Sequence, residues 1–157
     1  MFFILPFVVT NAYAQEPTDE QQIRAMYEYR IERFQTAPTP EAQADAYVAD
    51  IVEDAVWLPQ NALPVRGKES VRKWSVGFFS QWVLEIGSCE TEPMLIGDRI
   101  AVSRFLCSGT YVERGTARAV PFTQKYVDVL QKQTDGTWKL ESHMWSSNDK
   151  LASIWSE

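Results

Sequence analysis

Apolar positions recur every three or four residues early in the chain and alternate with polar ones in its second half. The first spacing is that of a helix with one buried face, the second that of strands covered on one side. Thr18-Asp19-Glu20-Gln21 has the order of a capping box, with acids in the first turn. Ile23, Met26, Tyr27, Arg30, Ile31 and Phe34 then share one stripe, so a helix begins here and turns that stripe to a core. Pro38 ends it. Thr39-Pro40-Glu41 opens a second, Ala-rich helix that runs to about residue 50. Residues 55–59 (AVWLP) predict a short strand, and Arg66-Gly67 closes a loop. Residues 68–79 predict a third helix with Val71, Trp74 and Phe78 on one side. Residues 82–92, 99–113, 119–133 and 137–147 predict long strands. The pairs Gly97-Asp98, Arg114-Gly115 and Asp135-Gly136 divide them. Helices first and a meander last define an α+β class, with three N-terminal helices packed on one face of a strongly bent antiparallel sheet.

The turns set registers. If Asp135-Gly136 is a two-residue turn, Asp128 lies opposite His143, Tyr126 opposite Trp145 and Leu130 opposite Glu141, all on one face. An acid, the sole His, a Tyr and a Trp on one face are an unusual set for pure structure. Counting from Gly97-Asp98 brings Cys89 within one register step of Cys107 on the neighbouring strand. A disulfide and a pair of buried thiols both fit that placement.

Composition narrows the options. The chain has 157 residues, 45% hydrophobic and 23% charged, which suits one folded domain. Its net charge of −6 argues against a nucleic-acid partner. One His and two Cys are too few for a zinc site of the usual kind. No P-loop, dinucleotide-binding or nucleophile-elbow motif occurs, so no cofactor is expected. The aromatic share is high, with 6 Trp. Trp57, Trp74, Trp138 and Trp155 read as core, dimer surface or tail anchors. The apolar run MFFILPFVV followed by Ala12-Tyr13-Ala14 predicts a signal peptide over residues 1–14, although no Lys or Arg precedes the run. The run is too short for a stable membrane span. The expected product is a single domain over residues 15–157 in an oxidising, periplasmic or secreted setting.

The order of elements resembles the NTF2-like superfamily, a cone of three helices wrapped by a bent sheet. It looks most like the SnoaL-like and DUF4440 branch, related to polyketide cyclases and ketosteroid isomerases. The resemblance covers about residues 18–148. It rests on the helix over residues 23–34, on Asp54-Ala55-Val56-Trp57-Leu58-Pro59 and on Pro64-Val65-Arg66-Gly67-Lys68-Glu69. Gly97-Asp98, Tyr126-Val127-Asp128-Val129-Leu130, Asp135-Gly136-Thr137-Trp138-Lys139 and Trp145 complete it. The resemblance implies a homodimer through the sheet. It also implies that the isomerase acid falls on Asp128 and the isomerase Trp on Trp145. The isomerase general base falls on Leu58, and the oxyanion Tyr falls near Arg30, with Tyr27 one turn earlier. Authentic steroid isomerase activity is therefore not expected. The fold hosts isomerases, dehydratases, cyclases, epoxide hydrolases and binding modules, so it does not choose a function.

What remains is Asp128 and His143 as candidate catalytic residues, with Tyr27, Arg30, Leu58, Tyr126 and Trp145 as candidate ligand contacts. A carboxylate beside a His fixes its tautomer and stabilises its charged form. Such a pair in an apolar pocket suits an isomerase, lyase or cyclase acting on a small apolar molecule without metal or organic cofactor. Arg30 reads either as a structural ion-pair partner or as a contact for an enolate or carboxylate. Tyr111 is open between the two faces of its strand, and Glu141 reads as a solvated rim acid. The alternative function is a non-catalytic ligand-binding or dimerisation module of the same fold.

Overall fold

In the computed structural model, which describes residues 16–116 and 118–147, the first helix begins where its cap dictates. The Thr18 N–H donates to Gln21 Oε1 at 2.8 Å and the Gln21 N–H to Thr18 Oγ1 at 3.3 Å. α1 (Asp19–Thr36) buries Ile23, Arg30 and Phe34. α2 (Pro40–Val48) starts at Thr39, whose hydroxyl accepts from the Ala42 N–H. α3 (Lys68–Gln81) follows Gly67, which takes φ +83°, a conformation open to glycine. α3 buries Val71, Ser75 and Phe79. Trp74 and Phe78, expected beside Val71, are rotated off that stripe and only half-buried. The expected leader over residues 1–14 and Trp155 lie outside the described residues.

The strands are β1 (Ile51–Leu58), β2 (Val65–Arg66), β3 (Trp82–Thr91), β4 (Leu95–Ile96), β5 (Ile100–Glu113), β6 (Ala119–Lys132) and β7 (Trp138–Ser147). They form one sheet in the order β2-β1-β7-β6-β5-β3, with β4 paired to β5. The expected meander of β5, β6 and β7 is antiparallel. β1 joins β7 in parallel, which makes the curved sheet mixed. The three helices pack on it, giving the α+β cone.

Two register details correct the sequence reading and offset one another. Asp135-Gly136 is not a two-residue turn. Gln133 donates to Thr137 O at 2.7 Å, which leaves a three-residue loop, and Gly136 takes φ +86°. Leu130 therefore faces Leu140, not Glu141. A bulge at Glu141 then adds one residue to β7, so Val129 pairs with Ser142 and Asp128 with His143. Tyr126 lies opposite Trp145, as the simpler count has it. A second bulge, at Gly87, shifts β3 against β5 and sets Cys89 opposite Cys107, where the two form a disulfide. Close by, a Cβ on Gly109 would sit 2.2 Å from Glu85 O and 2.8 Å from the Phe122 ring, so the strand crossing needs glycine.

One end of the cone is filled. Ile23, Val48, Ile51, Trp57, Leu130 and Leu140 pack there with Trp138. Trp138 Nε1 and Lys132 Nζ both donate to Asp19, tying the last hairpin to the start of α1. The other end is open.

Candidate functional site

A cavity of about 310 Å³ occupies the open end, between the helices and the inner face of β3, β5, β6 and β7. Strand alternation supplies its sheet wall. Gln124, Tyr126 and, beyond the cavity floor, Asp128 follow one another inward along β6. On β7 the bulge brings His143 and Trp145 to the same side. Phe105 and Cys107 come from β5, Leu84, Ile86 and Cys89 from β3. The helices add Tyr27 and Arg30 from α1, Tyr47 from α2, and Trp74 and Phe78 from α3.

The polar centre is small. Asp128 is fully buried, and its two oxygens are both engaged. His143 Nδ1 lies 2.6 Å from Oδ1, and the Tyr27 hydroxyl donates to Oδ2 at 2.7 Å. His143 is 5% exposed and forms part of the cavity wall, whereas Asp128 lies behind it. Aromatic rings hold the imidazole. Tyr126 stacks on it at 5.5 Å, and Trp57 and Trp145 stand tilted at 5.2 and 5.1 Å. Burial, then the Asp128 charge and hydrogen bond, push the Tyr27 phenol well above its ordinary value. Burial, then neighbouring Tyr111 and Tyr47, push Tyr126 up as well. Both are neutral donors at physiological pH. Tyr111 and Tyr126 donate to the same Gln124 oxygen at 2.9 and 2.7 Å.

Arg30 has no acid. Its Nε donates to Tyr47 O at 3.1 Å and its guanidinium lies 4.1 Å over the Tyr47 ring. Among the described residues no carboxylate pairs with it, which removes the structural ion-pair reading. Leu58 does not reach the cavity. It pairs with Met144 across the parallel β1–β7 ladder, on the outer face, while its neighbour Trp57 points inward with His143. The structure thus gathers Tyr27, Arg30, Tyr126, His143 and Trp145 around one space, sets Asp128 beneath it and leaves Leu58 outside. Trp74, expected as packing, is a wall residue instead. Tyr47 and Gln124 were not singled out from sequence. Gln124 had a signal, since it stands two residues before Tyr126 on the same face. Among the described residues no three His, Cys, Asp or Glu side chains converge as a metal would require. No described helix is long and apolar enough to cross a membrane.

The fold is one already known from solved structures. The chain is similar to a ketosteroid isomerase-like protein from Erwinia carotovora, at 18% identity and TM-score 0.70 over 81% of this chain and 94% of that one. A conserved protein from Planctomyces limnophilus matches at 18% identity and TM-score 0.70, over 82% and 97%. An NTF2-like protein with a cystatin-like fold from Novosphingobium aromaticivorans matches at 12% identity and TM-score 0.62, over 88% and 87%. The cone is therefore the NTF2-like fold. No family model and no curated protein matches the chain.

Proposed function

We propose that the chain is an exported NTF2-like protein of the SnoaL-like, DUF4440 kind whose cavity takes a small apolar carbonyl compound. In this reading His143 is its base. The observation that carries it is the 2.6 Å contact between His143 Nδ1 and a fully buried Asp128 carboxylate. That carboxylate accepts from the Tyr27 hydroxyl and from Nδ1–H, so the proton rests on Nδ1 and Nε2 keeps its lone pair. Nε2 takes a proton from the carbon next to a carbonyl, and Asp128 stabilises the imidazolium that forms. Asp128 accepts in both bonds, so it is a positioning residue here rather than the donor that the isomerase acid would be. Those isomerase, lyase and cyclase reactions that begin with such a step can run without a cofactor.

Proton exchange tests this directly. The full chain, incubated with 2-tetralone in deuterated buffer, is expected to speed deuterium uptake at the carbons beside the carbonyl. His143→Ala and Asp128→Asn are expected to cut the rate at least about 100-fold while keeping native circular dichroism. Binding of the ketone without exchange would favour the non-catalytic ligand-binding module. The outward position of Leu58, where an isomerase base would stand, is the observation in favour of that second reading.

Two further parts belong to the proposal. The Cys89–Cys107 bond suits an oxidising compartment and supports export. Expression with the leader in a bacterial periplasm should yield a chain beginning at Gln15. The outer sheet face carries half-buried Val102, Leu106, Val127 and Val129 beside exposed Met144. A second copy covering that band would make the homodimer, and Val127→Glu should then yield a monomer in sedimentation.

A further inference from the structure

Most of the cavity wall is apolar, yet one cation is built into it. Arg30 is 5% exposed and, among the described residues, is the only Lys or Arg on the wall. Tyr47 takes its Nε and the flat of its guanidinium. Its Nη2 is buried with no hydrogen-bond partner among the described residues. Asp128 does not pair with it either: the hydrogen bonds of its two oxygens go to Tyr27 and His143. A buried guanidinium is costly unless an anion and good donor geometry compensate it. Among the described residues Arg30 has one hydrogen bond and one ring contact, and no carboxylate paired with it.

We infer that Arg30 anchors an anionic head group, and that the carbonyl compound the cavity takes carries a single carboxylate on an otherwise apolar body. This inference rests on the reading of the cavity as a ligand site. The chemistry selects the head group. A guanidinium presents a planar fork of donors that matches a carboxylate. A single cation balances one charge, so a phosphate monoester dianion would be left half neutralised. Trp74, Phe78, Phe105 and Leu84 line the rest with rings and hydrocarbon, which suits a tail and no second charge. A volume near 310 Å³ is at the small end for ligand pockets. Tyr47 links the anchor to the base, since its ring lies under Arg30 and 6.5 Å from the His143 ring. Arg30 and His143 thus both border Tyr47 on the cavity wall.

The test compares octanoate with 1-octanol by titration calorimetry on the full chain at neutral pH. Wild type is expected to bind octanoate about 10–100-fold more tightly than the alcohol, the range of charge-assisted hydrogen bonds. Arg30→Met should bring octanoate down to the level of the alcohol, and Arg30→Lys should keep part of the preference. Equal affinities in wild type, or a preference that survives Arg30→Met, would overturn the inference. Alcohol binding with no gain for octanoate would leave the ligand cavity standing and remove only the head group. Binding of neither probe would remove both. The wild-type comparison needs no variant, so a poorly folded Arg30→Met cannot hide the answer.

Discussion

Leu130 and Leu140 face each other on β6 and β7; Tyr126 and Trp145 do so a short way along the same two strands. The first pair is wholly buried in the filled end of the cone, and the second is half-buried on the cavity wall. Backbone and partner strands are shared, so neither strand propensity nor sheet position accounts for the contrast. Side-chain choice does. Aliphatic side chains interlock around Trp57 and Trp138 and close the filled end, while rings at the open end lean on one another at 4.9–6.5 Å and keep a space open between them. Asp128 and His143 stand at the boundary, where burial is complete enough to hold a hydrogen bond and a wall is still available to a ligand.

The bulge at Glu141 separates the two ends, and its removal should have the largest effect. Deleting Glu141 puts one end out of phase with its partner strand: either Leu140 leaves the core or His143 leaves Asp128. Urea unfolding should report a loss of about 4 kcal/mol or more. A deletion variant of native stability with the His143–Asp128 contact intact by NMR would contradict this account of the ladder.

Paired truncations sharpen the contrast. Leu140→Ala should cost about 2–5 kcal/mol, because it leaves a hole in close packing. Trp145→Ala removes a larger side chain yet should cost only about 1–2 kcal/mol, since a half-buried wall ring borders open space. Equal losses would mean the two ends are packed alike. Next in size is the disulfide. Cys89 and Cys107 are 18 residues apart, and Cys89→Ser with Cys107→Ser should lower stability by about 3 kcal/mol on a chain-entropy account.

Smallest are two pH effects of opposite sign, one for each end. Tyr27 has its pKa raised, mainly by burial, so its contribution is full below pH 10 and is lost as pH rises above that. Tyr27→Phe should flatten the alkaline fall in melting temperature. Asp19 is held below its ordinary 3.8, first by its hydrogen bond to Lys132 and then by that to Trp138. Its contribution is present above that value and is lost as pH falls through the lowered pKa. Asp19→Asn should flatten the acid limb and leave the alkaline one alone.

Much of this was legible in the sequence, for physical reasons that differ by element. The caps at Thr18 and Thr39 announced α1 and α2 because capping is local. The Asp128–His143 pair was found by a count that missed both the three-residue loop and the bulge, and succeeded because each shifts register by one in opposite directions. Leu130 lies between those two irregularities, so its partner was misassigned. Leu58 failed for a related reason. Counting back from Gly67 gives a position in the strand but not which side faces in, and β1's parallel pairing with β7 settles that only in three dimensions. That Arg30 has no paired carboxylate among the described residues was beyond sequence altogether, since it depends on which side chains the fold brings beside it.

The strand order has a consequence for motion. β6 and β7 are interior strands, each hydrogen-bonded on both sides, while β3 forms an outer edge of the sheet and part of the cavity wall. Amide exchange should then be slowest around Asp128 and His143 and faster along β3. Breathing that admits a visitor would be confined to the rim, and the imidazole would meet it without having moved.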